Sequence, residues 1–434
     1  MTLSLRFSYR KRVMILLYFL ILITYLDRLT ISLVGVRIKS AFHLSNTQFG
    51  WVLSAFVLAY ALFEIPSGIM GDRIGQRKVL LRIVIWWSVF TALTGAVNGL
   101  TSLIAVRFLF GMGEAGAYPN SCGVISRWMP RSETSRGMSW LGMGAPTGAA
   151  LAPLIVVPIA IAYGWRAPFF VNGILGLLWV LICWLWFRNH PGEMKGITKE
   201  EKELIEKNRN YQKHDFEFGW KQILRNPMLW ALFCSYFTLQ SGNYFFSAWF
   251  PTYLQEGKHF SEQQMKTATT FVYSTGIFSA FLFGIFSDWM IKIKGAAFTR
   301  KFIGMVSSGI FALAIFVSTR STDHVWVTIS FVVSDFCLVI GVLTCFSTCI
   351  DIGGDRVSTI TGFMNFVGQS GAFLMSIIFG KLVDFTHNYE IPQYVMMILL
   401  FIGGVCWLGV DASKKIIGDS VVSIDPPALR PIPE

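Results

Sequence analysis

The chain has 434 residues, a formal net charge of +12, 53% apolar and 15% aromatic residues, only 14% charged residues, and a mean hydropathy of +0.54. Water-soluble domains carry about 25% charged residues, so the deficit excludes a disordered chain, a nucleic-acid-binding domain and a single core facing water. Apolar runs of about 20 residues each cross a hydrocarbon layer about 30 Å thick.

Twelve such runs stand between charge clusters and turn signals. They begin near Val13, Gln48, Val79, Ser102, Gly137 and Ala167, then near Pro227, Met265, Phe302, His324, Val357 and Pro392. Backbone groups in lipid must satisfy one another, which predicts helices and not open strands. The fold class is all-α integral membrane: a short N-terminus (1–12), a six-helix bundle (13–189), a linker (190–226), a second six-helix bundle (227–411) and a proline-bearing tail (412–434) expected to be disordered. Span 1 carries Tyr25, Asp27 and Arg28, and span 2 carries Tyr60 and Glu64. Arg107 and Glu114 lie on span 4. A small-residue run, Gly142 to Ala150, marks span 5 as a close-packing helix with a hinge. In the linker, Thr198 with Glu201 forms a capping-box pattern that predicts a short surface helix. Span 7 brings Gln240 and Tyr244, span 10 Asp335, and span 11 Asn365 and Gln369.

The positive charge is distributed, not clustered for nucleic acid. With the N-terminus inside, 28 of the 37 Lys and Arg fall on the cytoplasmic side and 7 on the other. This is the positive-inside pattern, and it places both termini in the cytoplasm. The first helix is too long for a cleavable signal and anchors itself. The absence of an Asn-x-Ser/Thr sequon favours a bacterial inner membrane. All seven cysteines fall within spans, so no disulfide framework is signalled. The histidines fall in loops or at span ends, which disfavours haem or di-iron chemistry. No cofactor is expected, the partners are lipid and a small solute, and nothing requires more than a monomer.

The two halves repeat. Gly68-Ile69-Met70-Gly71-Asp72-Arg73-Ile74-Gly75-Gln76-Arg77-Lys78 closes span 2, and Gly284-Ile285-Phe286-Ser287-Asp288-Trp289 closes span 8, with Asp72 and Asp288 offset by 216. Such repeats, with a site between them at mid-membrane, typify secondary transporters. The first copy resembles the signature loop of the major facilitator superfamily. Tyr25-Leu26-Asp27-Arg28, Glu64-Ile65-Pro66-Ser67-Gly68, Arg107 through Gly116, Gly164-Trp165-Arg166 and Trp249 through Leu254 together look like its anion:cation symporter family, which includes hexuronate, aldonate, glucarate, phthalate, sialic-acid and vesicular glutamate transporters. The resemblance implies the twelve-helix major facilitator fold, with Gly68, Asp72, Arg73, Gly75, Arg77 and Asp288 as structural and gating positions.

Charges at membrane depth cost about 2.5 to 3.5 kcal/mol each on insertion scales, so Asp27, Arg28, Glu64, Arg107, Glu114 and Asp335 are the functional candidates. Arg107, Gly111, Glu114 and Tyr118 share one helical stripe. Arg107 and Glu114 are about 10 Å apart along the axis, so each needs a partner on another helix. In this reading Arg28 binds a substrate carboxylate with its planar fork, Asp27 and Glu114 carry protons, and Arg107 joins anion binding or an ion-pair switch. The resemblance points the same way. The competing reading is a structural ion-pair network locking helix 1 to helix 4. Glu64 reads as a gate, and Asp335 as a third titrating site or a helix-to-helix hydrogen bond. Tyr25, Tyr60, Gln240, Tyr244, Asn365 and Gln369 supply hydroxyls and amides, and the resemblance adds substrate contact at Asn365. The whole predicts proton-coupled uptake of an organic anion, most plainly a sugar acid, by alternating access. An uncoupled facilitator or exchanger of carboxylates is the alternative, and export of amphipathic cations is disfavoured by Arg28.

Overall fold

In the computed structural model, residues 8–130, 133–194, 196–207, 225–353, 357–417 and 420–423 are described. The twelve spans are all helical. The first six are α1 (Tyr9–Leu33), α3 (Asn46–Ile74), α4 (Gln76–Thr94), the pair α5 (Leu100–Glu114) and α6 (Ala117–Trp128), α7 (Thr134–Tyr163) and α8 (Ala167–Trp186), with the short α2 (Gly35–Phe42) after the first. After the linker helix α9 (Lys199–Lys207) come α10 (Pro227–Tyr244), α11 (Glu262–Lys294), α12 (Ala296–Arg320), α13 (His324–Gly353), α14 (Val357–Thr386) and α15 (Glu390–Cys406). Among the described residues ten spans are long and apolar enough to cross a membrane on their own; the basic start of α4 and the interruption after α10 explain the other two.

The repeat is deeper than the signature loop. Ser45 and Ser261 each cap the next helix in a reciprocal box, with Gln48 and Gln264 respectively. His43 and His259, two residues earlier, both adopt a left-handed backbone at φ 52° and 58°. Every one of these pairs is offset by 216, the same as Asp72 and Asp288. Ser32 Oγ donates to the Ala248 carbonyl at 2.7 Å, again across 216 residues, so the pseudo-two-fold axis relating the bundles passes close to this contact.

Span 4 departs from the expected single helix. Ala115 is extended and Gly116 takes φ +91°, where a Cβ would lie 2.3 Å from Ser67 Cβ. The stripe from Arg107 therefore ends at Glu114, and Tyr118 turns outward, 43% exposed. Span 7 is also irregular. Pro251 has no N–H and its ring crowds the preceding turn, and π-helical turns at Phe245–Trp249 and Tyr253–Gly257 flank the turn Phe250–Thr252. Such π-turns often mark functional sites.

The linker helix also departs from a solvated spacer. Thr198 Oγ1 caps it as expected, 3.2 Å from Glu201 N. Glu201 in turn accepts from the Tyr9 and Arg10 backbone N–H groups at 3.2 and 3.1 Å, supplying acceptors for the open first turn of α1. The expected disordered tail is corrected over its first part: Lys414–Ile417 pairs antiparallel with Ser420–Ser423. Neighbouring β-branched residues, Ile416, Ile417, Val421 and Val422, suit a strand pair. The rest of the tail, 424–434, lies outside the described residues.

Candidate functional site

A cavity of about 130 Å³ opens between the bundles. Tyr25, Arg28, Phe56, Tyr60 and Arg107 line it from the first bundle, and Gln240, Asn243, Tyr244, Ser247 and Gln369 from the second. The first wall carries the charge and the second only neutral hydrogen-bonding groups.

Helix periodicity places Tyr25 and Arg28 on one face of α1, three residues apart. The Arg28 guanidinium lies 5.3 Å from the Tyr25 ring, 5.3 Å from Phe56 and 4.6 Å from Tyr60. Its Nε donates to Glu114 Oε1 in a tight ion pair. Rings on three sides and one carboxylate hold the guanidinium in place, and the Arg28 side chain, 25% exposed, lines the cavity. Cation–π contacts of this kind add about 0.5 to 2 kcal/mol each, the larger value when dry.

Glu114 finds the cross-helix partner that spacing demanded. Arg107 does not: it lies 5.2 Å over Phe56 and 4.6 Å over Phe110, and its Nε has no hydrogen-bond partner. Asp27, 1% exposed, has neither carboxylate oxygen hydrogen-bonded, although Glu114 and Arg107 both act on it through space. Glu114 Oε2 is likewise without a donor. Buried carboxylate oxygens without donors are costly. The group therefore holds unmet demand for a proton or for a cation that moves.

Of the other predicted binding residues, Tyr60, Gln240, Tyr244 and Gln369 reach the cavity. Tyr244 also donates to the Leu53 carbonyl at 3.1 Å, across the bundles. Asn365 does not line the cavity: its Oδ1 accepts from Tyr236 at 2.9 Å, one turn away from Gln369. Asn243 and Ser247 were missed. They stand three and seven residues after Gln240, on the same helical stripe, and that spacing was the available signal.

The signature loop is a fastening. Gly75, at φ +91°, ends α3 and begins α4, and a Cβ there would lie 2.6 Å from Asn189 Nδ2. Arg77 ties the turn to the end of span 6, its N–H donating to Asn189 Oδ1 at 2.8 Å and its Nη2 to the Trp184 carbonyl at 2.6 Å. Gly68 faces Pro119, Arg73 is exposed, and the Asp72 side chain lies outside the described residues. In the second half Asp288 is exposed, and the comparable tie is made by Arg300, which bonds Asp351 at 2.8 Å and Ser287 at 2.7 Å. Glu64 is partly buried on α3 and acts through space on Arg28 and Tyr60, outside the cavity lining.

Polar ties between the bundles gather on the face opposite the termini. Arg37 grips Glu262 with two bonds of 2.6 and 2.7 Å, and Lys39 pairs with Glu256. Asp384 at the end of α14 accepts from the Asn46 and Thr47 N–H groups at 3.0 and 2.7 Å, capping the first turn of α3. The structure is thus a state sealed on that face.

The family model described as the Major Facilitator Superfamily matches residues 17–376. A probable sulfoacetate transporter of Cupriavidus necator is 30% identical over 411 residues, covering 92% of each chain. The hexuronate transporter of Bacillus subtilis is 28% identical over 88% of this chain and 90% of its own. Among solved structures, an inward-facing, unoccupied bacterial homologue of the human lysosomal transporter Spinster superposes with a TM-score of 0.75 at 18% identity, over 92% of this chain and 97% of that one. This chain belongs to the major facilitator superfamily, and its work is to carry a solute across a membrane, not to convert it.

Proposed function

We propose that the protein takes up a small organic anion, a sugar acid, together with protons, across a bacterial inner membrane with both termini in the cytoplasm. The observation that carries this reading is the division of the cavity. Arg28 is held among three rings with its side chain partly exposed at the cavity, while amides and hydroxyls line the cavity from the other bundle. A carboxylate matches the first wall, and hydroxyl groups match the second. The volume is of the order of a cavity that holds a six-membered ring, about 150 Å³. Relatives named for sulfoacetate, L-galactonate and hexuronate transport support an anion of this range.

Coupling follows from the unmet acceptors. When an anion engages Arg28 it competes with Glu114, and the displaced carboxylate is then best satisfied by a proton. Asp27, beside it on α1, has no donor even before substrate arrives. Two protons with a monoanion move one net charge. At one pH unit and 100 mV this supplies about 5 kcal/mol, from about 1.4 per proton and about 2.3 per charge.

A thermal-shift panel of hexuronates, aldonates, short sulfonates and amines on purified protein identifies the solute. Proteoliposome uptake under an imposed pH gradient then tests coupling. Carboxylates are expected to raise the melting temperature and to accumulate against their gradient. Stabilisation by amines alone would overturn the pocket assignment, and downhill flux indifferent to both the gradient and Glu114→Gln would establish an uncoupled facilitator.

A further inference from the structure

Asp335 belongs to no part of the site above. It lies on α13, deep within the second bundle and 8% exposed, with no hydrogen bond or ion pair among the described residues. One of its oxygens lies 3.9 Å from where a Gly276 side chain would begin, and Pro146 of α7 meets the same point at 3.5 Å. Asp335 therefore sits directly behind the seam where α11 of one bundle touches α7 of the other.

The surroundings of this carboxyl are neutral. The carboxyl itself acts through space on Tyr273 of α11. No charged side chain of α10, α12, α14 or α7 among the described residues contributes to its field, and on its own helix Asp351 is committed to Arg300. Tyr273 donates its hydroxyl to the Phe246 carbonyl at 2.7 Å. Phe246 lies in the first π-helical turn, which also presents Ser247 and Ala248 to the cavity. Tyr273 thus feels the carboxyl through space and is hydrogen-bonded to the irregular turn of span 7. The seam is fastened at its outer end by Arg37, which holds Glu262 at the start of α11 and the Ala160 carbonyl of α7 at 3.0 Å.

We propose that Asp335 is a third proton-binding site for transport, in addition to Asp27 and Glu114, closed off while α7 and α11 touch and exchanging its proton with water on the face opposite the termini when Arg37 lets go of Glu262 and the seam parts. The step is simple: the carboxylate takes a proton from water on that side, and the neutral acid is what the closed seam tolerates. Tyr273 reports the change to the π-helical turn and so to the cavity wall. This rests on the proton-coupled reading above, while assigning part of the coupling to the bundle that carries no other charge at this depth.

The test is the proton-to-substrate ratio, taken from the membrane potential at which net flux reverses in proteoliposomes, for the natural chain, Asp335→Asn, Asp335→Glu and Tyr273→Phe. The ratio is expected to fall by one in Asp335→Asn and to recover in Asp335→Glu. Uptake in Asp335→Asn should also lose its dependence on pH at the face opposite the termini, and Tyr273→Phe should shift that dependence without abolishing it. Infrared difference spectra should show one protonated carboxyl band fewer in Asp335→Asn. An unchanged ratio and band in an actively transporting Asp335→Asn would overturn the proposal and leave coupling at Asp27 and Glu114 intact. If Asp335→Asn does not fold, a Tyr273→Phe pH profile identical to the natural chain's overturns it instead. A natural chain that moves no protons would sink the coupling reading itself, with this inference.

Discussion

Between α3 and α14 the two bundles meet backbone against backbone, and a single methyl group should pry the contact open. At Gly380 on α14 a Cβ would lie 2.2 Å from the Asn46 carbonyl oxygen, and at Gly50 on α3 it would lie 2.6 Å from that of Ser376. Neither neighbour is a flexible side chain that can swing aside. Since relaxed contact begins near 3.4 Å, alanine at either position forces α3 and α14 apart by roughly 1 Å, enough to forfeit a large share of the dispersion attraction across the seam. Overpacking of this kind costs about 1 to 3 kcal/mol, and it is paid only in the state sealed opposite the termini. The ratio of sealed to open molecules should therefore fall by about 5- to 150-fold. Thr252→Cys in a cysteine-free background reads this directly, because Thr252 is fully buried beside Gly35 at the sealed end. Its labelling by a membrane-impermeant maleimide should accelerate by the same factor in Gly50→Ala and Gly380→Ala, while uptake falls. Gly362→Ala, also on α14 but with open space around it, serves as the neutral control. Natural labelling and uptake rates in both variants would refute the assignment of this contact as the outer seal.

Three further outcomes follow from the geometry. Arg37→Glu should weaken the seal by about 0.2 to 1 kcal/mol, since the pair is one-third exposed, and Arg37→Glu with Glu262→Arg should restore the Thr252→Cys labelling rate, with the difference shrinking in high salt. Gln369→Ala should raise the transport KM by about 2- to 10-fold, the worth of one hydrogen bond, whereas Asn365→Ala should leave KM in place and lower the melting temperature by freeing Tyr236. Glu201→Ala should cost about 1 kcal/mol of stability through the uncapped start of α1 and leave substrate affinity unchanged, as melting and uptake curves would show.

The architecture was legible because lipid leaves the backbone so few options. Apolar runs, the side bias of Lys and Arg, and one recurring Gly-Asp pattern sufficed for twelve helices in two bundles. The same period also appears in His43-Leu44-Ser45 with Gln48 and His259-Phe260-Ser261 with Gln264, a repeat that reads as turn chemistry only once both are seen capping a helix. The site was legible in part. Counting charges at depth found Arg28 with Glu114, because a buried pair has few possible partners. It expected a charged partner for Arg107, which lines the cavity but lies over Phe56 and Phe110 instead, since aromatic faces can accommodate a guanidinium and composition does not show which rings lie within reach. Asn365 was chosen for its amide, yet whether an amide faces a cavity or a neighbouring tyrosine depends on packing between α10 and α14, which a sequence pattern does not encode. The break at Gly116 was hidden for a related reason: glycine is common in close-packed membrane helices, and only the Ser67 contact makes this one a turn.

The period of 216 also explains how a symmetric frame comes to hold an asymmetric site. Asp27 and Arg28 on α1 correspond at that offset to Asn243 and Tyr244 on α10, so the ion-bearing pair of one bundle corresponds to an uncharged pair in the other. Both Arg28 and Tyr244 reach the cavity, and Asn243 does as well. A solute bound between them is held by charge on one side and by hydrogen bonds on the other. Charge attraction falls off gradually with distance, whereas hydrogen bonds vanish within a fraction of an ångström. On the proposed function, the first bundle would retain an anion throughout a rocking motion, while the second would engage only when the bundles close upon it. On the proposed function, an anion lacking hydroxyls would bind Arg28 but draw the second wall in weakly, so that discrimination among anions would rest with Gln240, Asn243, Ser247 and Gln369 and the shared affinity for anions with Arg28.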